Sequence, residues 1–494
     1  MKLDGAISAQ YTPRYSPLLI FRVTPLPKLQ VALIAVAYLS EAVTVSFIYP
    51  FINERLSEMS STPKELARRS GLLFACCAAT QFISTYFWGT LSDRVGRKPI
   101  LLVCFLICAI STVGFGAGTT FLEILIFRTL TGTSYGDFSD RDSSAIADVT
   151  DSTNQARAFS FLVLSWTVGS AFSPLIGGFL SHPEKLFPGV FGSSTYFTRH
   201  PYALPCFTVA GISFLLFLLI AFFLEEVSRS RFLHNGDTCP TTSDLSAEAL
   251  GPDTSTRLSV LQILGDPLVR NLLISYGFLA LTSASNDIIF ALWMFLPIDD
   301  GGLGFSPSQI AVIISIGNIL GAFVTTTLFP WLHHRFGTLP IYRCAIGLDV
   351  LFVMLYPIVH ALAAGPAVQR PRDAGETPLN DGMWSNVAFP VLVGIGLMLT
   401  IKGFSVLAFG CVMVLVTASA PSPRSLGAVN SLSLMTASFA RSIGPPLYAN
   451  IFAISMGGSG HGLIWIFMSA MVLLSLLASF RAKEEHKEWR RSIG

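Results

Sequence analysis

Long stretches without a charged side chain dominate this sequence and constrain its fold more than any other feature. They cover residues 70–92, 99–122, 158–183, 200–224, 301–334, 403–423 and 442–480. A helix needs about 20 apolar residues to cross the hydrocarbon core of a bilayer. Charged residues make up only 13% of the 494 residues, whereas a soluble domain carries about 25%. The sequence therefore predicts a helical membrane protein with many crossings and disfavours a soluble enzyme.

Dividing the apolar runs at Pro, Gly and charged turns predicts an all-α membrane protein with twelve transmembrane helices. Their predicted ranges are 29–51, 71–91, 100–118, 121–147, 157–181, 203–224, 269–296, 308–332, 340–363, 386–418, 424–450 and 461–481. A polar stretch rich in Ser, Thr, Asp, Pro and Gly separates the sixth helix from the seventh and is typical of a flexible linker. The predicted organisation is an N-terminal tail (1–28), a six-helix bundle (29–224), the linker (225–268), a second six-helix bundle (269–481) and a C-terminal tail (482–494).

The distribution of Lys and Arg predicts the orientation in the membrane. These residues concentrate on the segments that share a side with the N-terminus, and the positive-inside rule places that side in the cytosol. Because the number of crossings is even, both termini and the linker are expected to be cytosolic.

A weak internal repeat relates the two predicted bundles. The segment WGTLSDRVGRKPI (88–100) aligns without gaps to FPWLHHRFGTLPI (329–341), with identities that include Arg94 with Arg335, Gly96 with Gly337 and Pro99 with Pro340. Both segments follow the second helix of their half. This correspondence predicts two pseudo-symmetric bundles related by an axis along the membrane normal.

The first of these segments contains the most specific motif in the chain. GTLSDRVGRK (89–98) resembles the signature turn of the major facilitator superfamily. The resemblance implies a turn that takes part in the conformational switch of a transporter. Its residues here are Gly89, Asp93, Arg94, Gly96, Arg97 and Lys98. In physical terms, the glycines permit a tight turn and a close helix approach.

Other segments are similar to narrower groups of that superfamily. FRTLTGTSYG, from Phe127, resembles a fourth-helix motif whose arginine is associated with proton coupling. WTVGSAFSPLIGGFL, from Trp166, resembles the fifth-helix antiporter motif, with Ser173 in place of one glycine and with matches at Gly169, Pro174, Gly177 and Gly178. Segments from Gly301 and Gly427 are similar to fungal drug:proton antiporters and to plant zinc-induced facilitator-like carriers. These resemblances imply proton-coupled antiport.

Ionisable residues inside the predicted helices are the candidate coupling and substrate sites. A charge near the bilayer centre costs about 2.5–3.5 kcal/mol on insertion scales, so each one needs a partner or a water-filled cavity. Glu41 lies near the middle of the first helix and Arg128 lies in the fourth. Asp287, Lys402 and Arg441 are the corresponding candidates in the second half. A fixed ion pair that only holds helices together is the alternative for each of them.

The fourth helix departs from the pattern of its relatives in its acidic content. Asp137, Asp140, Arg141 and Asp142 follow Gly136 within a few residues. Asp137 and Arg141 have the spacing of an i,i+4 pair on one helix face, and Asp137 is retained as a candidate coupling residue. The unusual charge leaves a non-transporting, sensor-like relative as the alternative to a transporter.

These patterns together predict a proton-coupled secondary transporter that exports small organic molecules by alternating access. The expected partners are a small-molecule substrate, protons and the lipid bilayer, in the plasma membrane or the vacuolar membrane, and the protein is expected to be monomeric. Because the net charge is only +2 and the eight cysteines are scattered, the protein is not expected to bind nucleic acid, a cofactor or a metal. No catalytic residue is predicted, and the sequence does not identify the substrate.

Overall fold

The structure, a computed structural model, describes residues 27–135, 155–224, 260–365, 384, 387–421, 425–456 and 462–482. Every regular element within these ranges is helical, which confirms the all-α prediction. The long helices are α1 (Lys28–Ser46), α2 (Pro63–Val95), α3 (Arg97–Ala117), α4 (Phe121–Tyr135), α5 (Gln155–Leu180), α6 (Ala203–Phe223), α7 (Pro267–Phe295), α8 (Pro307–Phe336), α9 (Thr338–Ala364), α10 (Phe389–Ser419), α11 (Leu426–Ser455) and α12 (Leu463–Arg481).

Most of these helices have the length and composition of membrane spans. Within the described ranges, ten are long and apolar enough to cross a bilayer. The other two, α4 and α11, occupy the fourth and eleventh positions of the predicted order. Large apolar side chains such as Ile83, Phe222 and Ile466 are exposed on the outside of the helices. That surface suits lipid, since lipid tails solvate apolar side chains as well as a protein core does.

Some helices begin or end several residues away from their predicted limits. Helix α2 starts at Pro63 instead of residue 71, because Thr62 accepts a hydrogen bond from the Glu65 backbone N–H at 3.2 Å and caps the helix. The proline at the first helical position adds to this start signal. Helix α1 ends at Ser46, before a turn over residues 47–51 and the short helix Ile52–Ser57. At α2, a charged first turn therefore extends the helix beyond the apolar run from which it was predicted.

The two repeated segments adopt the same turn. Gly96 separates α2 from α3 with φ 100° and ψ 166°, and Gly337 separates α8 from α9 with φ 79° and ψ 171°. Backbone in this region is accessible almost only to glycine. We call the side of the molecule that carries these turns the motif end. The connections α1–α2, α5–α6 and α7–α8 lie at the opposite end.

Helices α1–α6, here called the first bundle, pack against helices α7–α12, the second bundle, along two seams. One seam joins α2 to α11 and the other joins α5 to α8. In the α2–α11 seam, on the half nearer the opposite end of the molecule, a Cβ on Gly71 would collide with Ala449 and would lie 3.0 Å from the Pro445 carbonyl oxygen. The absence of a side chain at Gly71 therefore allows the two bundles to approach closely.

Candidate functional site

A cavity within the second bundle brings together ionisable and aromatic side chains from several helices. It lies among α7, α9, α10, α11 and α12 and is partly open. Its polar lining comes from α7, α9, α10 and α11: Thr282, Ser283, Asn286, Asp287, Asp349, Lys402, Ser405 and Tyr448. A cavity that is mostly apolar with a few convergent polar groups has the general character of a ligand-binding site.

Two sequence candidates, Asp287 and Lys402, meet in this cavity as an ion pair. The Lys402 Nζ donates to Asp287 Oδ1 at 2.7 Å, and the two side chains are 22% and 39% exposed, respectively. The Lys402 ammonium also lies 5.2 Å from the centre of the Phe290 ring, within cation–π range. The charges therefore compensate each other while remaining accessible from the cavity.

Asp349 is a functional candidate that sequence reasoning missed. It lies in the middle of α9, lines the cavity, and hydrogen-bonds to the Ser405 side chain of α10. It also lies within electrostatic range of both Lys402 and Asp287. The signal was present in the sequence, because an acidic residue inside the apolar run 340–363 meets the same criterion that singled out Glu41.

A group of aromatic side chains packs beside the charged residues. The Tyr356 hydroxyl donates to Asn286 Oδ1 at 2.9 Å, and its ring stacks on Trp465 with a centroid distance of 4.5 Å. Trp293 packs edge-on against the same ring at 4.8 Å. The ring contacts hold Tyr356 beside Asn286, and Asn286 lines the cavity.

The charged candidates of the first bundle are more deeply buried than those in the cavity. Glu41 is 6% exposed and Arg128 is 4% exposed. Arg128 Nη1 donates to the Thr44 carbonyl oxygen at 3.5 Å, so the guanidinium of α4 lies against α1 one turn from Glu41. The Arg128 guanidinium also lies 6.0 Å from the Phe74 ring of α2. Both charges are enclosed by packed helices.

Arg441 does not join the cavity of the second bundle. It is partly buried in α11 and lies within electrostatic range of Tyr276 and Tyr49. Tyr49 follows α1 and is also within range of Arg128 and Asp287. Tyr49 is therefore within electrostatic range of charged groups from both bundles.

The glycines of the fifth-helix motif all lie at close helix contacts, but not against the same partner. A Cβ on Gly169 would lie 2.7 Å from the Leu39 carbonyl oxygen, and one on Gly177 would collide with the Phe47 carbonyl, so both pack on the α1 segment. A Cβ on Gly178 would collide with Ala311 of α8 and would lie 2.7 Å from the Pro307 carbonyl oxygen. Gly178 thus lies on the seam between bundles.

Pro174 contributes to the same seam through the backbone. Proline has no N–H, so it leaves the carbonyl four residues earlier, that of Ser170, without its helical donor. Asn318 of α8 supplies the donor instead, with Nδ2 at 2.7 Å from the Ser170 oxygen. Ser308 Oγ, also of the second bundle, donates to the Gly178 carbonyl oxygen of the first bundle at 3.1 Å. Two side chains of the second bundle therefore bind backbone carbonyls of the first.

The signature turn lies between α2 and α3, as its place in the sequence predicts. Gly96 has the positive φ described above, Arg94 is exposed, and Arg97 and Lys98 are partly buried. Trp88 Nε1, just before the turn, donates to the Thr133 carbonyl oxygen of α4 at 2.7 Å. The surroundings of Gly89 and the side chain of Asp93 lie outside the described part of the structure, as does the whole of Asp137.

At the opposite end, a charged cluster outside the membrane-spanning segments was not anticipated from the sequence. His182 Nε2 is 3.2 Å from Glu54 Oε2, and its Nδ1 is 3.3 Å from Glu184 Oε1. Burial by itself lowers the pKa of His182, but the hydrogen bonds and negative charge of the two glutamates outweigh it and raise that pKa above the ordinary value. The Tyr202 hydroxyl donates to Glu58 Oε1 at 2.6 Å beside this cluster.

Comparison with known proteins gives a consistent family. The model of the Major Facilitator Superfamily matches residues 31–445. The chain is 27% identical to the major facilitator-type transporter psiT2 of Psilocybe cyanescens, over 92% of this chain and 89% of the relative. It is 25% identical to the efflux pump azaK of Aspergillus niger, over 94% and 90%. A crystal structure of a bacterial homologue of the human lysosomal transporter Spinster superposes with a TM-score of 0.63 at 17% identity, covering 93% of this chain and 96% of that one.

Proposed function

The chain belongs to the Major Facilitator Superfamily, and we propose that it exports small organic molecules across its membrane in exchange for protons. Members of the family are membrane transporters of small molecules, and relatives similar to this chain include an efflux pump and a multidrug transporter. Proton coupling, the direction of export and the alternating-access mechanism are the parts that we add.

The observation that carries the proposal is the charged cavity. Ionisable side chains from α7, α9 and α10 line a cavity within helices that are long and apolar enough to span a membrane. Charged groups inside membrane helices are costly, and they commonly mark a substrate or ion pathway. The Asp287–Lys402 pair can exchange its partner for a proton or a ligand because it is partly exposed to the cavity.

Proton exchange follows from competition at a carboxylate. A carboxyl group binds either a proton or a cationic partner, so binding of one favours release of the other. Glu41, Arg128 and Arg441 remain candidate coupling residues in this scheme, together with Asp137. The first-bundle pair acts through its position between α1 and α4, where a change of charge would alter the packing of those helices.

Alternating access would use the two seams between bundles. Close contacts at Gly71 and Gly178 and the Ser308 donor join the bundles near the opposite end, and the Asn318 donor joins α8 to α5 nearer the middle of these helices. Opening that end requires these contacts to break, while the turns at Gly96 and Gly337 control the motif end. In this scheme Gly89, Asp93, Arg94, Arg97 and Lys98 regulate the switch between states.

The proposed cellular arrangement follows the charge bias of the sequence. The motif end and both termini face the cytosol, and the opposite end faces the exterior or the vacuolar lumen. The protein acts as a monomer with small molecules and protons as partners, and it needs no nucleic acid or cofactor.

Flux in proteoliposomes with an imposed pH gradient tests the proposal. The purified protein should accumulate a labelled substrate from a screening panel only when the gradient is present, and Glu41→Gln should abolish this accumulation while substrate exchange persists. Asp300→Asn, in an exposed 3-10 turn between α7 and α8, is the matched control and should transport normally. Saturable binding without accumulation of any label would contradict transport and favour a sensor.

A further inference from the structure

The connection between α5 and α6, at the opposite end of the first bundle, has a defined structure of its own. It contains three short helices, Pro183–Leu186, Pro188–Phe191 and Thr195–Arg199. Its two ends meet where the His182 backbone N–H donates to the Pro201 carbonyl oxygen at 3.0 Å. Because four of its side chains carry a phenyl or phenol ring, we call residues 183–200 the aromatic segment.

Several large apolar side chains of the aromatic segment are exposed. The exposed fractions of Phe187, Val190 and Tyr196 are 43%, 74% and 43%. A Cβ on Gly189 would meet no atom of the described residues within 4 Å. A contiguous apolar surface of this kind marks contact with another protein or with a membrane.

Helix α6 fixes the depth of this surface. Its 21 residues, Ala203–Phe223, rise about 30 Å, which is the thickness of the hydrocarbon core. Ala203 therefore lies near the boundary between the core and the headgroups. The Tyr196 ring stacks on Phe207, one turn inside α6, with a centroid distance of 6.1 Å. The aromatic segment thus folds back beside the first turn of α6 instead of extending into water.

The same ring contact joins the segment to the lipid-facing side of α6. Exposed residues follow Phe207 on one helix face, at positions 211, 214, 215 and 222, since these spacings keep residues on a common face. Lipid tails solvate such a face as well as a protein core does. The apolar surface of the aromatic segment therefore continues a surface that lipid already covers.

The charge of the segment fits the phosphate layer of a bilayer. Residues 185–200 contain Lys185 and Arg199 but no Asp or Glu, and both basic side chains are exposed. The acid that precedes them, Glu184, lies 3.3 Å from His182 Nδ1. Aromatic rings together with basic side chains are typical of the membrane–water interface.

We propose that the aromatic segment is an interfacial anchor, which lies in the headgroup layer of the leaflet at the opposite end. Phe187, Val190 and Tyr196 are immersed among the lipids, and Lys185 and Arg199 lie beside the phosphates. The anchor holds the adjoining ends of α5 and α6 at a constant depth. This inference goes beyond the proposed function and does not depend on the substrate or on proton exchange.

Fluorescence quenching of an added tryptophan tests the depth of the segment. Val190→Trp is reconstituted as the full-length protein in nanodiscs of phosphatidylcholine brominated at defined acyl positions, and the signal is the difference from the parent. We expect the added indole to lie about 15–22 Å from the bilayer centre, between the core boundary and the outer headgroups. It should be quenched by the shallow brominated lipids and protected from aqueous acrylamide.

Two control variants define the limits of this depth scale. Leu215→Trp lies about 18 Å along α6 from Ala203 and should be quenched most by lipids brominated near the bilayer centre. Asp300→Trp, in the exposed 3-10 turn between α7 and α8, should be quenched by acrylamide only. Because all three variants carry the same indole, its own preference for the interface does not explain a difference among them.

A second substitution tests whether the apolar side chains hold the segment in place. Phe187→Asp added to Val190→Trp should move the indole outward, beyond about 22 Å from the bilayer centre, because a carboxylate is costly to remove from water. Phe187→Leu is the matched control and should keep the original depth. An unchanged depth with Phe187→Asp would contradict anchoring by these side chains.

Two results with Val190→Trp itself would overturn the proposal. Quenching by acrylamide without quenching by lipid would place the segment in water. Protection from both quenchers would show that a protein surface, such as a second copy of the chain, covers it.

Discussion

Both bundles contain ionisable residues within their helices, but the surroundings of these residues differ. In the first bundle, Glu41 and Arg128 are 6% and 4% exposed and lie between packed helices. In the second bundle, Lys402 and Asp287 are paired but 22% and 39% exposed to a cavity. We infer from this contrast two modes of action for a charge inside a membrane helix. An enclosed charge acts through the packing of the helices around it, whereas an accessible one can exchange partners with a ligand.

Replacing one basic residue from each bundle tests this contrast most directly and should have the largest effect. Lys402→Met should lower gradient-driven flux by roughly 10- to 100-fold, because loss of a charged hydrogen bond costs about 1.5–3 kcal/mol and leaves Asp287 without its cation. Its melting temperature should change little, since the side chain borders the cavity. Arg128→Met should instead lower the melting temperature clearly, because the enclosed guanidinium holds α4 against α1.

Flux assays and thermal unfolding of the two variants in parallel measure the difference. Adding Asp287→Asn to Lys402→Met should recover part of the loss by removing the uncompensated carboxylate. The contrast between bundles fails if Arg128→Met is fully stable and Lys402→Met is the variant that unfolds.

A second test concerns the seam between the bundles. Gly178→Ala should reduce the turnover number by roughly tenfold, since overpacking costs about 1–3 kcal/mol and the new methyl group would meet Ala311 and the Pro307 carbonyl. Gly211→Ala is the matched control, because a Cβ at that position of α6 meets nothing within 4 Å. Stopped-flow measurement of single turnovers distinguishes this effect from weaker substrate binding, and equal rates in the two variants would contradict it.

Loss of the hydrogen bond across the same seam should have a smaller effect than the Gly178→Ala substitution. Asn318→Ala removes the donor to the Ser170 carbonyl, and a hydrogen bond of this kind contributes about 0.5–1.5 kcal/mol. We expect a shift of about threefold toward the state that is open at the opposite end, measured by labelling of a cysteine introduced there. Asn450→Ala, which removes a bond within α11 only, should leave labelling unchanged.

The smallest expected effect is a pH dependence at the opposite end of the first bundle. The pKa of His182 is raised in the folded protein, so its contribution to stability is complete below about pH 6.5, the ordinary histidine pKa. That contribution is lost as the pH rises through the folded-state pKa. The melting temperature of the parent should therefore fall on the order of 1 °C more than that of His182→Gln between pH 6 and pH 9.

The second bundle provides the control for this measurement. His360 contacts the Gly302 carbonyl oxygen at 3.1 Å instead of a carboxylate. His360→Gln should keep the pH dependence of the parent. A parent and a His182→Gln variant with identical pH profiles would exclude a role for the glutamate contacts.

Much of the fold could be predicted because the lipid environment imposes simple rules. Long charge-free runs indicated the helices, and the repeated Gly96 and Gly337 turned out to have the same backbone conformation. The pairing of Asp287 with Lys402 could not be predicted, since the two are 115 residues apart on different helices. The exposure of each charge depends on the packing of several helices, and no local pattern contains that information.

One more residue of the candidate site could have been predicted if every charged residue inside an apolar run had been considered. Asp349 meets the criterion applied to Glu41, yet only the cavity revealed it as a neighbour of Lys402. The Tyr448 hydroxyl, which has no hydrogen-bond partner in the described part of the chain, has no sequence signature, because tyrosines in membrane helices pack in many ways. Helix ends were also misplaced at α2, where the cap at Thr62 lies outside the apolar run.

The acceptor at Ser170 belongs to the main chain, and Pro174 is what makes it available to Asn318. A peptide carbonyl persists whatever amino acid occupies its position, so drift at residue 170 leaves the acceptor intact. Evolutionary change can remove this bond only by altering the donor or the proline. Homologous carriers that have lost the proline are then expected to have relaxed their preference for asparagine at the facing site, a covariation that sequence families can reveal.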